Sequence, residues 1–300
     1  MAITSFYKLS GAGNDFIALV RSRPAEPDPS AEEIRAWCRR GLSVGADGLF
    51  VLERSGPGAA RMTYFNADGG PAALCLNGTR CAARLAFELG WAEDGETVTI
   101  ETGAGRHRAR RLAETELAVE VPPLERPPEP LEVEAEGRRL RGWSVAVGVP
   151  HFVLEWPEGL AAAPVETLGP LLRRHPGFGP AGTNVDFVRF VPSSPPDGRD
   201  RIEVRSYERG VEAETLACGT GVLAAAAVAL ALGRCRLPVA AATRGGFVLT
   251  VAGEPGEGGS PPWSGPRRWS LAGDARIVFE GRLGAEAAAL AEARGSDTGG

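Results

Sequence analysis

The sequence predicts an α+β protein built from two related halves, and three observations predict it. They are an internal repeat centred on two cysteines, many short segments that alternate apolar and polar residues, and a few helices, the clearest following each repeat cysteine. The repeat aligns ALCLNGTRCAARLAFELG (Ala73 to Gly90) with ETLACGTGVLAAAAVALALG (Glu214 to Gly233). Cys75 precedes Gly78 and Gly90 at the same offsets as Cys218 precedes Gly221 and Gly233, and Tyr64 and Tyr207 stand equally far upstream. GAGNDFIALV (Gly11 to Val20) echoes AGTNVDFVRFV (Ala181 to Val191), and IETGAGRHRAR echoes AATRGGFVLTV.

The elements follow in chain order. Ala31 to Arg40 reads as a helix, and a second helix follows Cys75. ETVTIET and ELAVEVP alternate at period two and read as half-buried strands on either side of the basic run Arg106 to Arg111, itself a solvated strand or loop. In VPPLERPPEPLEV (Val121 to Val133) clustered prolines exclude a regular helix and suit an extended linker. WSVAVGV, DFVRFV and RIEVRSY alternate again, with a helix near Glu166 to Arg174 among them and another after Cys218. Gly253 to Arg268 is a Gly/Pro-rich loop, LAGDARIVFEG (Leu271 to Gly281) a final strand, and ARGSDTGG a disordered end. The halves are then residues 1–122 with about 270–282, carrying Cys75, and residues 123–269, carrying Cys218; 283–300 form a tail.

Composition narrows the function classes. The 300 residues are 43% hydrophobic, enough for a substantial core. A net charge of -5, with no aromatics inside the one dense basic run, argues against nucleic acid as a partner. The start of the chain has no secretory pattern, and no apolar run approaches the roughly 20 residues that span a bilayer. The expectation is a cytoplasmic protein with no membrane partner. Five cysteines, an odd number without an export signal, should be reduced thiols, and the three histidines make no metal-binding spacing. No metal site is expected.

VLAAAAVALALG is apolar on every side, so it belongs inside a domain. If strands wrap such a helix, Cys-x-x-Gly lies at its N-terminus, among unpaired N–H groups and roughly +0.5 of an elementary charge. That setting lowers a thiol pKa from about 8.5 to between roughly 3.5 and 7.5. A cysteine among alanines is ordinarily a small buried hydrophobe, and Cys38, Cys81 and Cys235 are read that way. Cys75 and Cys218 are set apart by their equivalent positions and flanking glycines and asparagine. Two facing thiols suit removal and return of a proton on opposite faces of one carbon, one acting as thiolate base and the other as thiol acid. No cofactor fingerprint is present, so the developing charge needs preorganised donors, which two helix N-termini supply.

YFNADG (Tyr64 to Gly69), CLNGTRCAARL, GVPH (Gly148 to His151), TNVDFV (Thr183 to Val188) and YERGVEAETLACGTG (Tyr207 to Gly221), after GAGNDF, resemble the diaminopimelate epimerase family over nearly the whole chain. The resemblance implies two pseudo-symmetric domains, each a curved, barrel-like mixed sheet around a central apolar helix, with a cofactor-independent site in the cleft between them. It implies that Cys75 and Cys218 are the acid/base pair. Leu76, Asn77, Gly219 and Thr220 would offer N–H groups or a hydroxyl to the α-carboxylate and α-amine of an amino-acid substrate. Asn14, Asn66, Asn184 and Arg209 would hold its distal end, and Glu208 and His151 would be the polar pair beside the thiols.

The chain departs from the family pattern at Leu76, where glycine is usual, and at Val149, where asparagine is usual. Gly70-Pro71 replaces Ser-Glu, and the spacer in ERG-VEA-ETLACG is one residue longer than the commonest form. The implied reaction interconverts LL- and meso-diaminopimelate in lysine and peptidoglycan-precursor synthesis. The rivals are a two-thiol racemase of another amino acid, to which Val149 and Leu76 point, and a non-enzymatic thiol redox switch. The residues leave a homodimer open.

Overall fold

The computed structural model describes residues 4–21, 26–93, 95–122, 124–191, 200–254, 268–284 and 286–287. The chain divides into two compact units, Met1–Val119 with Asp274–Gly300, and Glu120–Gly273.

The first unit holds β1 (Thr4–Gly11), β2 (Asn14–Arg21), β3 (Gly48–Gly56), β4 (Ala59–Asn66), β5 (Pro71–Ala72), β6 (Thr97–Thr102), β7 (Gly105–Arg111) and β8 (Glu116–Val121). From far along the chain β18 (Arg276–Leu283) joins them, and the helices are α1 (Ala31–Cys38) and α2 (Leu76–Glu88). The sheet order is β18-β1-β2-β3-β4-β6-β7-β8, with β5 sharing the far edge of β4. Among the described residues only β2–β3 and β4–β6 are parallel.

The second unit holds β9 (Glu129–Ala135), β10 (Arg138–Val147), β11 (Val149–Glu155), β12 (Asn184–Val191), β13 (Arg201–Glu208), β14 (Ala213–Thr215), β15 (Val239–Thr243), β16 (Val248–Glu254) and β17 (Arg268–Asp274). Its helices are α3 (Val165–Arg173) and α4 (Gly219–Ala231). The order is β9-β10-β11-β12-β13-β15-β16-β17, with β14 beside β15 on β13. Among the described residues only β11–β12 and β13–β15 are parallel, so the two units repeat each other pairing for pairing.

Each unit has an inner and an outer helix. α2 packs on β1, β2, β4, β6, β7 and β18, and α4 on β10, β11, β12, β13 and β16. A flat sheet does not bring so many strands to one helix, so each sheet bends around its own. On the other face Ile34 and Trp37 of α1 pack with Ile17, Leu49, Val51 and Phe65. In the second unit Val165, Leu168 and Leu172 of α3 pack with Phe152, Val185, Phe187 and Tyr207.

Those facing sets and the strand pairings correct two sequence alignments, that of Tyr64 with Tyr207 and that of GAGNDFIALV with AGTNVDFVRFV, whose strands β2 and β12 occupy different places in their sheets. Phe65, not Tyr64, matches Tyr207, because both turn to the outer helix. The extra spacer residue before Cys218 shifts the register by one, and a shift of one turns every strand side chain to the other face. The matched positions are therefore Asn66 with Glu208, Tyr64 with Ser206, Phe50 with Asp186, Gly48 with Asn184, Phe16 with His151 and Asn14 with Val149.

Three further expectations are revised. LAGDARIVFEG is two strands, β17 and β18, parted at Ala275. The proline segment ends in a strand, because β9 begins at Glu129. The helix after Cys75 is not apolar: Asn77, Thr79 and Arg80 are buried in it. By contrast α4 buries its residues from Val222 to Ala229 without a polar side chain among them. Most of the loop Gly253 to Arg268 and all of ARGSDTGG lie outside the described residues. Among the described residues no helix is long and apolar enough to cross a membrane.

Candidate active site: two helices capped by thiols

Both repeat cysteines are N-caps. Cys75 and Cys218 have extended backbone, with φ/ψ of -138/104 and -105/108, and each sulfur accepts from the N–H three residues on. The distances are 3.4 Å from Gly78 and 3.4 Å from Gly221. A thiol here does the work usually done by serine or aspartate at a helix start, satisfying one orphan donor. Cys75 is half-buried and Cys218 buried, while Cys38, Cys81 and Cys235 are buried and all five cysteines are free.

In the first unit the hairpin of β1 and β2 comes down on α2. Gly11 makes that approach: a Cβ there would stand 2.9 Å from the Asn77 carbonyl oxygen and 2.9 Å from Cys81 Sγ. Asn14 is thereby within reach, and Asn77 Nδ2 donates to Asn14 Oδ1 at 2.6 Å. Asn14 Nδ2 donates onward to Asp47 Oδ2 at 3.0 Å, and Arg80 Nη2 donates to Asn77 Oδ1 at 2.7 Å. Leu76, buried, opens α2. Asn66 ends β4 in a turn, where Gly69 N donates to its carbonyl at 2.9 Å, the structural role expected of an asparagine before Ala-Asp-Gly.

The second unit holds a charged network at the matched positions. His151 Nδ1 donates to Asp186 Oδ2 at 2.7 Å, and Ser206 Oγ to Asp186 Oδ1 at 2.6 Å. Asn184 lies 3.4 Å from His151 Nε2 through Nδ2, and its Oδ1 accepts from Arg209 N at 2.8 Å. A carboxylate accepts, so Nδ1 carries the hydrogen of that bond, and an amide N–H donates, so Nδ2 of Asn184 is turned to Nε2. Thr215 Oγ1 donates to Glu208 at the end of β13, and Thr220 Oγ1 lies 3.5 Å from Cys218 Sγ. Gly219, buried, opens α4, and the Arg209 side chain is half-buried. Gly221 leaves room for Asp186, since a Cβ there would stand 2.2 Å from Asp186 Oδ1.

This network reverses the expected electrostatics at Cys218. Burial pushes the thiol well up and the Glu208 and Asp186 carboxylates push it further, against hydrogen bonds from Thr220 and Gly221. Burial pushes the Glu208 carboxyl up as well, against hydrogen bonds from Thr215 and from Cys218 itself. Both shifts favour the thiol form of Cys218, hydrogen-bonded to Glu208. The half-charge of a helix end is outweighed by burial first and then by the two neighbouring carboxyl groups. In the first unit the matched places carry the aromatic trio Phe16, Phe50 and Tyr64, with ring centroids 6.3 Å and 6.1 Å from Phe16.

The sequence profile described as diaminopimelate epimerase matches residues 6–121 and 143–257, a stretch in each half. The chain belongs to the diaminopimelate epimerase family. Curated diaminopimelate epimerases lie close to it along their length. That of Aquifex aeolicus is 37% identical over 94% of this chain and 98% of its own. That of Gemmatimonas aurantiaca is 38% identical over 93% and 99%. The fold is shared more widely. A probable proline racemase from Agrobacterium radiobacter K84 superposes with a TM-score of 0.65 at 19% identity, over 95% of this chain and 93% of that one.

Within this diaminopimelate epimerase family chain the structure gathers Asn14 and Asn77 in one unit, and His151, Asn184, Glu208, Arg209, Thr220 and Cys218 in the other. Asn66 makes no side-chain hydrogen bond to these groups among the described residues. Sequence reasoning alone misses Asp47, Arg80, Asp186, Ser206 and Thr215. Asp186 carries a signal, a carboxylate amid the apolar strand residues of TNVDFV, and Arg80 carries one inside a helix that buries nearly all its residues.

Proposed function

We propose that the chain interconverts LL- and meso-2,6-diaminopimelate, a step in lysine and peptidoglycan-precursor synthesis, with Cys75 and Cys218 as the acid/base pair and no cofactor required. It is then a PLP-independent isomerase of the cytoplasm, a place that suits five free thiols. The observation that carries the mechanism is that the two cysteines cap matched inner helices of two units with the same topology. Epimerisation takes the α-proton from one face of the carbon and returns another to the opposite face. One sulfur must start as thiolate and the other as thiol, and each turnover exchanges the roles.

In the arrangement described Cys218 is the thiol, which leaves Cys75 as the base for the isomer whose α-proton meets it. The electron pair left on the α-carbon delocalises into the α-carboxylate, and the helix-terminal N–H groups of Leu76, Asn77, Gly219 and Thr220 are the donors that stabilise it. Asn14, Asn66, Asn184 and Arg209 hold the distal amino-acid end. His151 orients Asn184, and Glu208 keeps the Cys218 proton in place.

The test is proton NMR of the reduced protein with LL-diaminopimelate in D₂O. The expected result is loss of the α-proton signal with appearance of the meso isomer. Cys218→Ala should abolish both while substrate binding persists. Undiminished turnover by that variant would overturn the two-thiol mechanism, and exchange of another amino acid in place of diaminopimelate would move the assignment to a racemase.

A further inference from the structure

The inner helices differ at one buried position that their shared topology does not explain. Arg80 on α2 is 0% exposed, and the residue at the same distance from the capping cysteine on α4 is Leu223, 2% exposed. A place that leucine fills in one unit holds a guanidinium in the other. Burying a cation is costly unless it is well paired, a cost that a packed leucine does not carry. Burial does weaken the hold of Arg80 on its proton. Stability alone therefore gives no reason for the arginine.

Its hydrogen bond gives one. Arg80 Nη2 donates to Asn77 Oδ1 at 2.7 Å, Asn77 Nδ2 to Asn14 Oδ1 at 2.6 Å, and Asn14 Nδ2 to Asp47 Oδ2 at 3.0 Å. Asp47 is anchored in turn by Arg40 Nη2 at 2.8 Å and by the Asp15 N–H at 3.2 Å. A guanidinium only donates and a carboxylate only accepts. The two ends therefore fix both amides between them: turning either one would set N–H against N–H or oxygen against oxygen.

We propose that Arg80 is a positioning residue, which from within α2 sets through Asn77 the orientation of Asn14, a side chain with which it shares no hydrogen bond. The functional consequence rests on the reading above, in which Asn14 and Asn77 hold the amino-acid substrate. An amide of fixed sense discriminates a substrate carboxylate from an ammonium, and one free to flip does not.

Arg80→Leu copies the sister helix. Its KM for diaminopimelate should rise about tenfold, the scale of one charged hydrogen bond, with kcat within about threefold. Arg80→Lys, which keeps a donor, should recover most of the KM. The side-chain amide signals in a ¹⁵N–¹H spectrum give a readout that needs no turnover. In Arg80→Leu the Asn14 signal should move along with that of Asn77. In Asp47→Ala, altered at the half-exposed end, the Asn77 signal should move along with that of Asn14. Movement of only the adjacent amide in each variant overturns the proposal, and so does a loss of kcat, KM and stability together in both Arg80 variants. If Arg80→Leu does not fold, Arg80→Lys and Asp47→Ala decide it. A wild-type protein that leaves diaminopimelate unexchanged refutes the proposed function, while the amide spectra still judge Arg80.

Discussion

At Cys218 the partial charge of a helix end competes with Glu208 and Asp186, and the outcome sets which proton the site holds at rest. Glu208 raises the thiol pKa by its charge, so removing that charge lowers it. In a Cys75→Ser background, Glu208→Gln should shift the pH midpoint for alkylation of Cys218 by iodoacetamide downward, with a several-fold faster rate at pH 8. An unchanged or higher midpoint would mean that Glu208 does not face the thiol as a carboxylate. The two helix-capping cysteines were legible because a repeat marks them twice, at Cys75 and Cys218. The residues that govern them were not. Asp186 acts on Cys218 from strand β12, and Asp47 meets Asn14 across a gap in sequence that no local pattern bridges. The sequence also misjudged the Cys218 thiol, because a helix N-terminus is a local feature and burial is not.

Elements hold these residues in place through a few brackets. Strand β14 leads the chain into Cys218, and Arg205 on β13 clamps it through a two-point ion pair with Glu214 at 2.6 and 2.7 Å. The same guanidinium donates to the Leu160 carbonyl at 2.6 Å, so one side chain ties two strands and the turn before α3. Glu214 is 8% exposed and Arg205 15%. Arg205→Leu should cost about 3 kcal/mol in urea unfolding, since it removes the two-point partner of a nearly buried carboxylate and leaves it the longer, 3.5 Å pair with the more exposed Arg244. The double variant with Glu214→Leu should cost less than the single one, and simple additivity would show that the pair is only a surface contact. At this scale the sequence was informative wherever period two ran unbroken, as in ETVTIET and RIEVRSY. It failed at LAGDARIVFEG, because a change of strand at Ala275 leaves the alternation nearly intact, and at Tyr64, because one spacer residue turns a strand over without changing its composition.

Across the whole molecule the buried thiols share one pH response. Cys38 and Cys235 are pushed up to about 12, chiefly by burial, and burial also raises Cys81 and Cys218. In the unfolded chain such thiols ionise near their ordinary value of about 8.5. Below that pH both states keep their protons and the stability is fully present. Above it the unfolded chain releases protons that the native protein retains, so stability falls as pH rises from about 8.5 towards 12. Cys38→Ala should make that decline shallower by up to about 1.4 kcal/mol per pH unit, measured by urea unfolding at pH 8, 9 and 10. An unchanged slope would mean that Cys38 ionises in the native protein. The two-unit plan itself was readable from the repeat, because duplicated topology leaves duplicated spacing. The exact registry was not, since it depends on which face each strand buries.

The strand that completes the first unit comes after the whole of the second. β18 pairs with β1 from Thr4 opposite Leu283 to Ser10 opposite Arg276, in the place that β9 takes beside β10. A ribosome therefore releases the first unit with one edge of its sheet bare, and that edge stays bare until all of residues 120–273 have emerged. The second unit has its own edge strand, β9, at its beginning and has no such wait. During synthesis the order of completion is thus the reverse of the order of translation. The exposed edge of β1 is where a nascent chain would pair wrongly or meet a chaperone.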